Sequence, residues 1–254
     1  LSMIALSALV HLPYWAILAT GLVIVFGHNA LTPISFEPGQ FGYSLWTILH
    51  DRGVLWANDE LTIRISYPTL PWIGVILLGY SIGPLYGADF AQGRRRKLLV
   101  QLGVACLALL AVLRGFNIYG ETLPWTVGAT WVDTLMSMLN YTKYPPSLDF
   151  LLLTLGICLL LLSWLDTKDN PATRALQTFG QAPMFIYALH LYVLLFSYRV
   201  VLATVGPNEG DLYHIDYVWQ IWALTAVLAA ALYYPTLRFG RYKRKTDKAW
   251  VKYF

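Results

Sequence analysis

Residues 67–83 read Tyr-Pro-Thr-Leu-Pro-Trp-Ile-Gly-Val-Ile-Leu-Leu-Gly-Tyr-Ser-Ile-Gly, and no residue in this stretch carries a charge. An apolar run of this length predicts a membrane-spanning helix, because a charged side chain at the bilayer centre costs about 2.5–3.5 kcal/mol. Pro68 and Pro71 lie at its start, where a missing N–H is tolerated. Gly79 and Gly83 have the helical spacing of small residues that lets a neighbouring helix approach closely. The stretch therefore predicts a helix packed in a membrane bundle.

The composition of the whole chain supports this class. The sequence is 57% hydrophobic and 13% charged, whereas soluble domains average roughly 45–50% and about 25%. The net charge of +4 does not indicate nucleic-acid binding, because seven of the eighteen basic residues follow Leu237, next to an apolar run. We interpret residues 237–254 as a basic cytoplasmic tail that signals topology, and contact of this tail with anionic membrane lipid is the secondary interpretation. Cys106 and Cys158 lie inside apolar runs, so we predict packing roles for them and no metal site.

The apolar runs predict an all-α, polytopic transmembrane helix bundle with about six full spans and one partial N-terminal span. The partial span ends near residues 11–13, and the sequence begins at Leu1 as if a helix were already under way. We therefore expect a single transmembrane domain over residues 1–254 that forms the C-terminal portion of a larger domain. The six full spans are predicted at residues 14–26, 68–85, 98–113, 147–165, 183–205 and 218–234.

The basic residues predict the orientation of these spans. Alternate loops carry most of the Lys and Arg residues, and such loops face the cytoplasm. Residues 28–66 and 114–146 then form two long outer loops, and loops of this length are usually functional. The C-terminus is predicted to be cytoplasmic. The residues of the basic loops are Arg94, Arg95, Arg96, Lys97, Lys168, Arg174, Arg238, Arg241, Lys243, Arg244, Lys245, Lys248 and Lys252.

Two histidine positions are candidates for catalysis. His28 and Asn29 end the second apolar run, where an imidazole beside an amide is suited to act as a general base with an orienting partner. An ordinary helix terminus is the alternative for this pair. His190 lies inside a predicted span, and an ionisable residue there is either functional or a neutral imidazole bonded to a helix carbonyl or a nearby tyrosine.

The second outer loop carries the densest group of polar residues. Its two ends meet if the flanking helices pack, and the basic residues there would then bind an anionic group such as phosphate or carboxylate. Snorkelling to lipid headgroups, with a helix N-cap at Ser147, is the alternative. The predicted substrate-binding residues are Arg114, Asn117, Tyr119, Asn140, Lys143 and Tyr144.

Five segments of the chain resemble one family of bacterial membrane proteins. They are residues 67–80, Gly-His-Asn-Ala-Leu at 27–31, Leu-Arg-Gly-Phe-Asn-Ile-Tyr-Gly at 113–120, Asn-Tyr-Thr-Lys-Tyr-Pro-Pro-Ser-Leu at 140–148, and Phe-Gly-Gln-Ala-Pro-Met-Phe-Ile-Tyr-Ala-Leu-His-Leu at 179–191. That family is similar to the catalytic domain of heparan-α-glucosaminide N-acetyltransferase, in the transmembrane acyltransferase group. The resemblance covers nearly the whole chain.

The resemblance implies acyl transfer at a bacterial inner (plasma) membrane. Acetyl-CoA would be the co-substrate, and an amine or hydroxyl of an envelope sugar would accept the acyl group. The family's active-site histidine is expected in a loop near the start of its domain, together with an Asp-x-x-Arg-Gly-like segment, and we expect that region to precede Leu1. A polytopic transporter or channel subunit without acyl chemistry is the alternative function, and a homo-oligomer is left open.

The predicted orientation is tested by reporter fusions in bacteria. A fusion after Phe254 is expected to report a cytoplasmic location, and a fusion within residues 39–43 a periplasmic one, because basic loops stay inside. Periplasmic activity from the C-terminal fusion would overturn this topology.

Overall fold

The computed structural model describes the backbone of residues 1–253 and the side chains of residues 1–251, so Phe254 of the predicted tail lies outside it. Helices hold 66% of the residues, which confirms the predicted helical class. The α-helices of the described chain are α1 Ser2–Leu9, α2 Tyr14–Gly27, α3 Tyr43–Leu49, α4 Leu70–Ile82, α5 Gln92–Gly115, α6 Trp131–Leu139, α7 Leu148–Leu165, α8 Pro171–Gly180, α9 Pro183–Val205 and α10 Val218–Lys245.

Five segments of the described chain are long and apolar enough to cross a membrane: α2 with the 3₁₀ turn that follows it, α5, α7, α9 and α10. The prediction of several apolar helices of membrane-spanning length is thereby confirmed, although the predicted number of six is not. The uncharged stretch at residues 67–83 forms α4 and the start of a 3₁₀ turn. Together α4 and this turn make a shorter apolar helix over Leu70–Tyr86. Helix α4 starts two residues later than the predicted span, because the N–H and the hydroxyl of Thr69 both donate to the carbonyl of Ile48 in the preceding loop.

The first outer loop departs from the all-α prediction. Strands β1 Gly53–Ala57 and β2 Thr62–Ile65 form a two-stranded antiparallel hairpin within it. The turn between them is closed by Asn58, whose side-chain oxygen accepts hydrogen bonds from the N–H groups of Glu60 and Leu61. Such a local side-chain turn stabilises a hairpin without any long apolar alternation, so the sequence pattern gave little signal for it. The same loop also contains the short helix α3.

The described chain divides into two compact units, residues 1–167 and 168–254. In the first unit α5 packs along α7, and α2 packs along α4. Its core is formed by Val25 of α2, Leu110 of α5, and Leu148, Leu151 and Leu152 of α7. In the second unit α10 contacts both α8 and α9. There Phe185 stacks on Phe239 with ring centroids 4.2 Å apart.

Glycines set the closest helix contacts in the first unit, but not at the positions predicted. A Cβ at Gly79 or Gly83 would meet no atom within 4 Å, whereas one at Gly74 would lie 2.8 Å from side-chain atoms of α2. In the same way, a Cβ at Gly103 of α5 would lie 2.8 Å from Leu160 and 3.0 Å from the carbonyl oxygen of Gly156. Close approach of backbones is therefore concentrated on the faces that carry Gly74 and Gly103.

A Leu substitution at Gly103 is expected to separate α5 from α7. Because main-chain as well as side-chain atoms occupy the space, the cost is about 1–3 kcal/mol of unfolding free energy. Gly79→Leu is the matched control, since the space beside Gly79 is open, and it is expected to leave stability nearly unchanged. The midpoint of thermal unfolding in detergent measures both. A larger loss for Gly79→Leu than for Gly103→Leu would contradict this packing.

Candidate functional site

The first turn of α7 is the place where α2 and the second outer loop meet. Asn29 accepts a hydrogen bond from the N–H of Leu148 through its side-chain oxygen, at 2.8 Å. The N–H of Asp149 donates to the carbonyl of Gly120, at 3.0 Å. Ser147 is the N-cap, and its hydroxyl oxygen accepts from Phe150 N–H, as predicted for this residue. The main-chain donors at this helix start are thus all satisfied.

His28 fastens the end of α2 to the segment that leads into α7. Its Nε2 lies 2.8 Å from the carbonyl oxygen of Pro146, and its Nδ1 lies 3.0–3.1 Å from those of Val25 and Ile24. The ring is buried. Both nitrogens face main-chain oxygens, so neither is directed at a space where a substrate could bind. A positioning role suits this geometry better than the general-base role predicted for His28 and Asn29, because a base needs an accessible nitrogen.

Arg114 is 2% exposed and organises the second outer loop from inside. Its guanidinium donates to four main-chain carbonyls, at 2.9–3.0 Å. With four of its donors bound to carbonyls, Arg114 stabilises the main chain of the loop and has little capacity left to bind an anionic ligand. The four carbonyls belong to Leu123, Ser137, Met138 and Asn140.

The other predicted binding residues have different surroundings. Asn117 exchanges two hydrogen bonds of 3.1 Å with the main chain of Trp125. Tyr119 donates to the carbonyl of Phe26, at 2.7 Å. Lys143 is exposed, with its Nζ 5.4 Å from the centroid of the Tyr144 ring. Tyr144 also packs edge-on against Tyr67.

Glu121 accepts several hydrogen bonds from residues of the second outer loop and of the segment that leads into α7. One carboxylate oxygen accepts from the N–H of Thr142, at 2.9 Å, and from the hydroxyl of Ser147, at 2.8 Å. The other accepts from the N–H of Thr122, at 2.8 Å. Burial by itself raises the pKa of Glu121, but the hydrogen bonds from Thr142, Ser147 and Thr122 outweigh burial, so that the pKa lies below its ordinary value.

Asp149 is the exception in this network. It has 0% exposure, and within residues 1–251 neither of its carboxylate oxygens has a hydrogen-bond partner. Gly120 lies against it in a conformation with φ of +101°, and a Cβ there would be 2.6 Å from Asp149 Oδ1. The charges of Glu121 and Arg114 both act on this carboxyl group. Buried carboxylates are almost always paired, so an unpaired one needs a reason.

A small cavity of about 40 Å³ lies beside Asp149. Two of the predicted binding residues, Asn117 and Tyr119, line it, and Glu121 joins them. The remaining lining residues are Leu113, Ile118 and Pro124. Of the predicted binding set, Arg114, Asn140, Lys143 and Tyr144 do not line this cavity.

The sequence reasoning missed Glu121 and Asp149. A signal for Asp149 was present, because an Asp two residues after the N-cap of a long apolar run places a carboxyl group at the membrane end of a span. No local pattern distinguishes an Asp that caps its own helix from one that faces a cavity. That distinction depends on Asn29 and Gly120, which occupy the main-chain donors that Asp149 would otherwise take.

His190 lies in the second unit, on α9. Its Nδ1 is 3.0 Å from the carbonyl oxygen of Ile186, and its ring centroid is 5.5 Å from that of Tyr187. The side chain is half-buried. Such a contact with a helix carbonyl is the non-functional alternative that the sequence left open for His190. Its other ring nitrogen, Nε2, has no hydrogen bond to any described residue. His190 therefore retains one nitrogen for proton transfer.

Comparison with known proteins adds no further assignment. No family model matches this chain, and no curated protein or solved structure matches it. These comparisons therefore neither support nor oppose the resemblance described in the sequence analysis.

Replacing Glu121 tests the electrostatics of the loop. Glu121→Gln puts an NH₂ group opposite N–H or O–H donors, so we expect it to lower the unfolding free energy by about 1–3 kcal/mol at neutral pH. Because the folded-state pKa lies below the unfolded-state value, this contribution is complete above the unfolded pKa of about 4.3 and is lost as the pH falls through the folded pKa.

Thermal unfolding in detergent between pH 3 and pH 7 measures the effect. The difference between wild type and Glu121→Gln is expected to be full at pH 6–7 and to shrink below about pH 4. Glu60→Gln is the control, because Glu60 is exposed in the hairpin turn. A wild-type advantage over Glu121→Gln that does not change with pH would contradict this assignment.

Proposed function

We propose that this protein transfers an acyl group from acyl-CoA to an amine or hydroxyl of a sugar in the cell envelope. The resemblance of five segments to the transmembrane acyltransferase group supports the reaction class. The observation that carries the proposal is Asp149, a buried carboxylate without a partner beside a small cavity. Acyl transfer to such an acceptor needs a group that takes its proton.

The chemistry of the acceptor fits what Asp149 lacks. An amine or hydroxyl presents an N–H or O–H, and the unpaired carboxylate oxygens accept such a hydrogen bond. The thioester of the donor supplies an activated acyl carbon. As the acceptor nitrogen or oxygen bonds to that carbon and the C–S bond breaks, Asp149 takes the acceptor's proton, and the sulfur leaves as the thiol of CoA once it is protonated.

The size of the cavity limits what enters it. A space of about 40 Å³ admits a single functional group and excludes a whole sugar ring. Asn117 is exposed beside it, and its amide is held by Trp125, so it is placed to contact the rest of the acceptor. Arg114, Glu121 and His28 act as positioning residues, since each binds main chain or loop hydroxyls around the cavity.

Transport without acyl chemistry is the second candidate function. The same residue favours it, because Asp149 lies on α7, a helix long and apolar enough to span a membrane. A carboxyl group in such a position serves proton or cation pathways in many membrane proteins. The two functions differ in their product: one acylates the acceptor, and the other moves a solute unchanged.

The substitution Asp149→Asn tests whether the carboxylate of Asp149 takes part in acyl transfer. We expect it to lower acyl transfer at least about 100-fold, the usual contribution of a proton-transfer group. The assay is transfer of labelled acetyl from acetyl-CoA to amino and neutral sugars by protein in liposomes. Folding is checked by thermal unfolding, and stability is expected to be preserved because a buried, unpaired charge is removed.

Two further variants make the result specific. Asp59→Asn changes an exposed Asp of the hairpin turn and is expected to keep wild-type turnover. His190→Ala asks whether the free nitrogen on α9 is also required for transfer. A folded Asp149→Asn protein with normal turnover would reject the proposed role. If liposomes that carry the wild-type protein show solute flux and no acylated product, acyl transfer is rejected in favour of transport.

A further inference from the structure

Four consecutive cations begin α5, at the end of this 24-residue helix that is remote from the Asp149 cavity. The helix is about 36 Å long, so the two ends are separate sites. Arg95 is already used: it forms a bidentate ion pair with Asp166 of α7, with nitrogen–oxygen distances of 2.8–3.2 Å, and its guanidinium lies 4.9 Å from the Tyr86 ring. Arg95 therefore joins the ends of α5 and α7.

Arg96 and Lys97 are in a different position. They line a shallow groove of about 360 Å³ between α5 and the last turn of α7, together with Ser163 and Gln101. Both side chains are exposed. Within residues 1–251 neither forms an ion pair with a carboxylate, and no acidic residue lines the groove. The carboxylate of Asp166, the C-cap of α7, is already paired with Arg95.

The arginine of this groove is held in place by its backbone neighbours. Arg96 Nε donates to the carbonyl of Ser163, at 3.2 Å, and the hydroxyl of Ser163 donates to the carbonyl of Arg96, at 3.3 Å. Ser163 is buried. With Nε bound, the two terminal nitrogens of the guanidinium are still available, which is the arrangement that binds two oxygens of a phosphate.

We propose that this groove binds the phosphate of an anionic phospholipid headgroup. Arg96 would bind two phosphate oxygens and Lys97 a third, while Gln101 offers an amide to a headgroup hydroxyl. A Cβ at Gly93 would meet no atom within 4 Å, so the groove is open on that side. Basic pockets between membrane helices are established binding sites for such headgroups.

The surroundings of the groove favour a lipid over a soluble phosphate compound. Val100 lines it and is 42% exposed, and Val104, one turn further along the same face of α5, is 53% exposed. The acyl chains of a lipid would cover this surface while its phosphate occupies the groove. A soluble ligand would leave the apolar surface bare. This inference is independent of the acyl-transfer proposal.

The test is lipid binding by the purified full-length protein, measured by native mass spectrometry with phosphatidylglycerol and phosphatidylcholine. The double variant Arg96→Gln/Lys97→Gln is expected to bind phosphatidylglycerol about 25-fold more weakly, since each cation near an anionic lipid contributes about five-fold. Arg96→Lys keeps the charge but loses bidentate geometry, so a smaller loss is expected. Thermal unfolding verifies that each variant is folded.

The control removes the same number of charges from the first outer loop, where Arg52 and Arg64 are exposed. Arg52→Gln/Arg64→Gln is expected to keep most of the affinity. Equal losses in both double variants would show general attraction to a charged surface and would overturn the proposal, as would unchanged binding in Arg96→Gln/Lys97→Gln. CoA and inorganic phosphate are added as competitors and are expected to leave the lipid bound. Displacement of the lipid by either would reassign the groove to a soluble phosphate compound.

Discussion

The first unit depends on how the start of α7 satisfies its main-chain donors. In a bilayer an unpaired N–H costs several kcal/mol, so each must find an acceptor within the protein. Asn29 at the end of α2 supplies one acceptor, and the carbonyl of Gly120 supplies another. These bonds tie α2, the second outer loop and α7 together. They also occupy main-chain N–H groups at the start of α7, so these groups are not available as hydrogen-bond donors to the carboxylate of Asp149.

The charged residues of this unit fall into two groups. Arg114, Glu121 and the Arg95–Asp166 pair have partners for most of their hydrogen-bonding capacity, and their role is to hold loops and helix ends. Asp149 is buried and unpaired, and Arg96 has its guanidinium ends available at the surface. Unsatisfied charge is costly in the interior and attracts counter-charges at the surface. The two proposals therefore concern the two ends of the α5–α7 pair.

The second unit differs from the first in how far its membrane-length helix α9 is covered by the rest of the chain. No described residue of α9 is buried within the chain, although the helix has the length and composition of a membrane span. Its aromatic and aliphatic side chains are exposed, as expected where lipid or another protein surface covers a helix. On this helix His190 keeps one ring nitrogen without a recorded partner.

The sequence by itself determined the helical class and the location of the apolar helices, and it indicated a long polar loop between α5 and α7. Those features follow from hydrophobic composition and from the absence of charge, which are properties of short segments. It also indicated Ser147 as an N-cap, because capping depends on residues three positions apart.

Tertiary structure alone decided the surroundings of the candidate residues. Arg114 was expected to bind a ligand, but carbonyls contributed by Leu123, Ser137, Met138 and Asn140 occupy it. Asp149 lies at the start of α7, where Asn29 and Gly120, distant in sequence, accept the N–H groups of Leu148 and Asp149. Helix contacts formed at Gly74 and Gly103 rather than Gly79, because the partner helix decides which small residue is covered. In each case the deciding atom is supplied by another segment, and one segment's sequence carries no information about the partner it will meet.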